Sequence, residues 1–164
     1  MFRRLVKTQN HWLPLVLRLT LGIVFFAHGA QKMLGWWGGG GFSATMGGFT
    51  GMGIPAPFAF LAIAAEFFGG LGLIVGFLGR IAAFGVACVM LVAIVMVHAP
   101  NGLFINWGGT QPGHGFEFHL LALALSVAII RLGSGAVSVD WAISGRYKDR
   151  AEDVAGPGQP RRAA

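Results

Sequence analysis

Polar and apolar positions alternate in long blocks. Four stretches, 13–33, 57–77, 81–97 and 116–132, run about 17–21 residues each with few charges, close to the length that crosses about 30 Å of hydrocarbon at about 1.5 Å per residue. The third, "IAAFGVACVMLVAIVMV", has no polar face that a soluble helix could turn to water. The pattern predicts an all-α, integral membrane four-helix bundle, one transmembrane domain over 1–140 followed by a tail over 141–164 that is partly disordered beyond about Asp153.

Composition agrees, with 55% hydrophobic and 11% charged residues in 164, against about 25% charged in soluble domains. The charges report topology. Arg3, Arg4 and Lys7 precede the first segment, Arg80 lies between the second and third, and Arg131, Arg146, Lys148, Arg150, Arg161 and Arg162 follow the fourth. Lys32 alone falls on the other side, so both termini and the middle hairpin are expected in the cytoplasm. The net charge of +6 is thus a topology signal, and no folded basic surface points to nucleic acid. Trp12 and Trp141 fall near the cytoplasmic boundary and Trp36, Trp37 and Trp107 near the outer one, as indoles prefer. The charged start is read as part of a retained first helix, because its apolar stretch is long and no clean A-x-A-like site follows. Cys88 has no cysteine to pair with and is expected to pack as a small apolar residue.

The connections are unequal. About 23 and 18 residues form the two outer loops, against little more than "LGR" in the middle hairpin. The first outer loop carries Phe42, Met46, Phe49 and Met52 at helical spacing, which suits a segment lying on the membrane or a lid, and equally a glycine-rich tether. The second mixes Asn101, Asn106, Trp107 and His114 and reads as a structured cap.

Ionisable groups inside apolar segments are the candidate chemistry. His28 and Lys32 end the first segment, His98 ends the third, and Glu117 and His119 open the fourth, all near the outer boundary. Glu66 lies about 13 Å deep in the second, and Arg18 about 7–9 Å above the cytoplasmic edge. Arg18, Gly22, Phe25, Gly29 and Lys32 fall within an arc of about 80°. Ala62 and Gly70 share the Glu66 face and let a neighbouring helix approach. A charge in mid-membrane costs at least about 2.5 kcal/mol, so Glu66 should face Arg18, Lys32 or a protonating site rather than lipid, and a neutral Glu66 is tolerable too. Glu66, His98 and Glu117 are the candidate proton-handling, catalytic residues, and Arg18, His28, Lys32 and His119 the candidate substrate-binding residues. The histidines repeat no metal-ligand spacing, and no metal is expected. There is no dithiol, no nucleotide fingerprint and no cysteine cluster of the kind an autonomous redox enzyme carries.

Arg18, "HGAQKMLG", the loop with Pro55, "AAEFFGGLGLIVGFLGR", His98, "HGFEFHLL" and "GSGAVSVD", in that order from Arg18 to Asp140, resemble the DoxX-like membrane proteins. That family commonly shows Gly-Pro-Gly where this chain has Gly133-Ser134-Gly135. The resemblance implies a multi-pass protein of the bacterial plasma membrane, related to small subunits of thiosulfate:quinone oxidoreductase and terminal quinol oxidase assemblies. Quinone is then the implied cofactor, and the implied partners are the lipid bilayer and other membrane-complex subunits or further copies of the chain. A non-catalytic accessory or assembly subunit is the alternative, and a small-solute or proton-coupled transporter is disfavoured by four helices without an inverted repeat. Reporter fusions after Gly40, Gly79, Gly109 and Ala155 should read outside, inside, outside and inside; any other alternation overturns the topology.

Overall fold

The computed structural model describes residues 2–145. They are helical or irregular, without strands: α1 (Phe2–Val6), α2 (Trp12–Leu34), α3 (Gly41–Gly51), α4 (Ala56–Val75), α5 (Gly79–Ala93), α6 (Glu117–Leu132) and α7 (139–145). A π-helical turn, Ile94–His98, and a 3-10 turn, Ala99–Asn101, prolong α5. By length and composition three helices can cross a membrane, Trp12–Leu34, Ala56–Val75 and the continuous Gly79–Asn101. The fourth expected span, α6, has 16 residues, about 24 Å of rise. The expected disorder beyond Asp153, and the basic residues from Arg146 onward, lie outside the described residues.

Backbone chemistry sets the ends. His11 caps α2 by accepting the Leu13 N–H, and Gly35, at φ 74°, ends it in the left-handed conformation that glycine adopts without penalty. Gly76, at φ 70°, ends α4 two residues before the apolar segment does. In turn α5 begins at Gly79, two residues before its apolar segment, because the Asp140 carboxylate accepts the N–H groups of Leu78 (2.9 Å) and Gly79 (3.1 Å). That cap offsets the strain of Leu78, a non-glycine residue at φ 50°.

α2 packs most closely on α4. A Cβ at Gly29 would lie 2.5 Å from Phe67 Cα and 2.6 Å from the Glu66 carbonyl carbon, and one at Gly70 would lie 2.7 Å from Phe26 Cα. The two backbones therefore touch, as small residues permit in lipid, where packing rather than water exclusion joins helices. α5 packs on α4 and α6, and α6 also meets α2. The shared core includes Leu21, Phe25, Leu73, Val86, Met90 and Ile129. Ala62, which shares the Glu66 face, lines an open groove with α5, and Ala59, Ile63, Glu66, Gly70 and Leu73 form the buried stripe.

At the end that carries the α4–α5 turn, the chain is sewn together by the segment after α6. Arg18, 1% exposed, donates to the carbonyls of Ser134 (2.9 Å), Leu73 (2.8 Å), Ile74 (2.5 Å), Ala136 (3.3 Å) and Val137 (2.6 Å). Asp140 accepts from the Ser134 hydroxyl at 2.5 Å, and its own N–H donates to Gly76 O at 2.9 Å. Arg80 donates to Lys7 O at 2.9 Å and to the carbonyl of Ile130 at the end of α6. Ser144 donates to Val6 O at 2.6 Å, so both described ends of the chain meet here.

Two outcomes follow for denaturation in detergent. Gly29→Ala should destabilise by about 1–3 kcal/mol through overpacking, whereas Gly48→Ala, with nothing within 4 Å of its Cβ, should be neutral or stabilise α3 by up to about 1 kcal/mol. Arg18→Lys, whose single nitrogen cannot span five carbonyls, should cost about 3 kcal/mol despite keeping the charge.

Candidate functional site

The opposite end holds six of the seven expected site residues. Arg18 is not among them: it sits 14 residues, about 21 Å of helix, below Lys32, with its guanidinium occupied by carbonyls.

The α2–α4 contact builds the first part. Gly29 seats the backbone of Glu66 and Phe67 against α2, and Lys32 follows three residues later, on the next turn of the same helix face. Its ammonium pairs directly with the Glu66 carboxylate, the side chains being 26% and 6% exposed. Of the two cations on α2, it is therefore Lys32 that compensates Glu66. His28, four residues before Lys32, is exposed and close enough to feel both charges.

The second part lies between α5 and α6. The π-helical turn ends on His98, whose ring centroid lies 4.1 Å from that of His119 in the first turn of α6. His98 Nδ1 is 2.8 Å from the His114 carbonyl and, with that acceptor, must carry its proton there, which leaves Nε2 with the lone pair. Asn101 donates to the same carbonyl at 3.2 Å, and His114 Nδ1 accepts the Asn106 N–H at 3.2 Å. The Asn106 side chain exchanges two hydrogen bonds with the Gln111 backbone, at 2.7 and 3.1 Å. Glu117 Oε1 accepts the Ile105 N–H at 3.0 Å. The second outer loop is thus a stapled cap, and Glu117 serves as one of its staples. His119 is 6% exposed, and its Nδ1 finds no hydrogen-bond partner among the described residues.

Phe118 joins the two parts. Its ring lies 6.5 Å from His28, stacks on Phe25 at 6.3 Å and stands edge-on to His119 at 5.6 Å. Nothing in the sequence marks it, since one more phenylalanine in an apolar helix carries no signal. Asn106 as a loop staple could be anticipated from its side-chain chemistry, but its partner could not. Among the described residues no group of three His, Cys, Asp or Glu is placed to hold a metal.

The first outer loop, whose form the sequence left open, contains α3. Phe42 stands edge-on to Phe60 at 6.3 Å, and Phe49 and Met52 roof an apolar groove of about 480 Å³ between α4 and α5. Cys88 lines this groove, and Val97 at its margin precedes His98.

Comparison with known proteins gives two matches. Over 126 residues the chain is 29% identical to a Bacillus subtilis (strain 168) protein named "Putative oxidoreductase CatD", a stretch covering 77% of this chain and 83% of that protein. No solved structure matches. The family model described as DoxX matches residues 13–99, which takes in α2 to α5 with Arg18, Lys32, Glu66 and His98. On that match, which spans more than half of its length, the chain belongs to the DoxX family.

Proposed function

We propose that this protein is the membrane-embedded subunit of a quinone-linked oxidoreductase, spanning the bacterial plasma membrane four times with both termini in the cytoplasm. The observation that carries this reading is the convergence, at one end of an apolar bundle, of ionisable side chains from α2, α4, α5 and α6. Membership of the DoxX family and the printed name of the Bacillus relative support it. α6 is the fourth span in this reading, its short length made up by the cap that precedes it.

The residues present fit a quinone. Such a ligand needs hydrogen-bonding groups for its oxygens within apolar surroundings, and His28, Lys32 and His119 with Phe118 and Phe25 offer both. When bound, a quinone supplies the two-electron chemistry that no side chain here provides. The chain's own residues bind and manage protons. His98 donates from Nδ1 to the His114 carbonyl, which leaves Nε2 as the nitrogen for proton exchange. Glu117 fixes the cap that orients His98, and Glu66 neutralises Lys32. Electrons must come from a partner subunit, because this chain has no dithiol pair, nucleotide fingerprint or cysteine cluster.

A second reading has its own observation. Lys32 and Glu66 satisfy each other, so the polar groups would serve only to hold helices in register in an accessory subunit. The pair itself behaves alike in both. Lys32→Gln or Glu66→Gln alone strands a charge and should cost about 3 kcal/mol in detergent denaturation, while the double variant should recover most of that loss. The readings part on chemistry. In a strain lacking the wild-type protein, membranes carrying His98→Phe at wild-type protein level should show about a hundredfold loss of quinone-linked electron transfer, the low end of what a lost proton carrier removes. Wild-type rates would leave the accessory role standing instead.

A further inference from the structure

We infer that Nδ1 of His119 is the atom that meets the ligand's oxygen, and that the ligand is a neutral ring compound bearing carbonyl oxygens when oxidised and hydroxyls when reduced, not an anion. This rests on the quinone-linked reading and adds to it the contact atom and the charge class.

The contact atom follows from hydrogen-bond accounting. A buried polar atom without a partner has given up water and gained nothing in return, so one that persists calls for something to pair with. Several groups at this end already have protein partners: His98 Nδ1 has the His114 carbonyl, Glu117 the Ile105 N–H and Lys32 the Glu66 carboxylate. His119 is buried as deeply as Glu66 and is left with a free Nδ1. Its ring lies against that of His98 and edge-on to that of Phe118, which sets it apart from Arg80 Nε, Gln111 Oε1 and Ser126 Oγ, the other such atoms without a partner among the described residues.

The charge class follows from the sequence and the pairing together. From residue 19 to residue 79, and from 81 to 130, the charged residues are Lys32, Glu66 and Glu117. With neutral histidines they leave this end with a net negative charge, and the one cation is already neutralised. An anion would enter a low-dielectric region against that charge with no free ammonium or guanidinium to meet it. A neutral oxygen has no such cost. The imidazole also suits a ligand that alternates between two forms, because one tautomer donates the Nδ1 proton to a carbonyl and the other accepts a hydroxyl proton at the same atom.

The test is binding to the purified full-length protein in nanodiscs. Decyl-ubiquinone is the neutral probe and thiosulfate the anionic one, followed by quenching of tryptophan fluorescence and by shift in melting temperature. Wild type should bind decyl-ubiquinone saturably and show no saturable response to thiosulfate. His119→Phe should raise the Kd at least tenfold, His119→Gln, whose amide can donate or accept, should stay within about threefold, and Gly48→Ala, in α3 with open space at its Cβ, should match wild type. Should His119→Phe not accumulate, ¹⁵N-histidine spectra of the wild type take its place, and the His119 Nδ1 resonance should move on adding decyl-ubiquinone. Wild-type affinity in His119→Phe, or an unmoved resonance, overturns the contact atom. Saturable thiosulfate binding overturns the charge class. A wild type that binds no quinone overturns the quinone-linked reading, and this inference falls with it.

Discussion

The backbone contact between α2 and α4 is the constraint on which the rest of this structure depends. In a bilayer, lipid tails are as apolar as leucine, so two helices gain little by hiding side chains from it and must gain by fitting together. Gly29 and Gly70 let the fit reach backbone on backbone, each glycine lying against the partner helix where any Cβ would collide. Depth then follows from geometry. With Gly29 seated at Glu66 and Phe67, the next turn of α2 carries Lys32 to the Glu66 carboxylate, and the turns below carry Arg18 to the last carbonyls of α4. One crossing sets both pairings. A shift of one turn would strand a carboxylate in hydrocarbon and leave the guanidinium opposite carbonyls already used within the helix.

Arg18 and Asp140 show how buried charges are tolerated without forming a direct ion pair with each other. The guanidinium meets carbonyl oxygens at the C-terminal end of α4, where helix dipoles concentrate partial negative charge, and others from residues 134–137. Asp140 meets the complementary feature, the N–H groups that open α5. The turn between α4 and α5 is thus gripped by a cation on its incoming side and an anion on its outgoing side. The chain after α6 supplies Asp140 and several of the carbonyls, which ties α6 into the bundle at the end opposite its stapled cap.

Periodicity made one face of each helix legible. Arg18, Gly22, Phe25 and Gly29 share a face in the sequence and are all buried, because the helical repeat depends on spacing alone. Spacing also places Glu66 opposite a basic residue of α2, but not which one: that choice turns on axial register, which only the close glycine contact decides. The small residues of α4 show the same limit: Gly70 meets α2 and Ala62 lines the groove with α5, and the sequence does not say which neighbour each one meets. The candidate site was legible as a set of residue types and illegible as a constellation. The sequence grouped seven residues; the structure brings six to one end and divides them around Phe118, which no polar or periodic signal marks. Long-range returns such as residues 134–140 onto Arg18 are set by tertiary packing, which local pattern does not encode.

The two ends of the same helices hold their charges by different means. A guanidinium bound to several backbone carbonyls has no second arrangement to adopt: it stays protonated, and its acceptors are fixed by the fold. At the other end side chains share the work: the cap is tied by backbone bonds from Gly115, Phe116 and Glu117 and by the side chains of His98, Asn101, Asn106 and Glu117. The π-helical turn contributes to this. Its wider hydrogen-bonding pattern at the end of α5 puts His98 beside His119 and under the cap, where one imidazole is committed through Nδ1 and its neighbour is free there. Two rings this close do not readily both carry a positive charge, since like charges at such range repel strongly away from bulk water. The carbonyl-bound arginine at the other end has no such neighbour: its hydrogen bonds go to backbone oxygens alone, so the two ends differ in whether a charge is fixed by the fold or limited by another side chain.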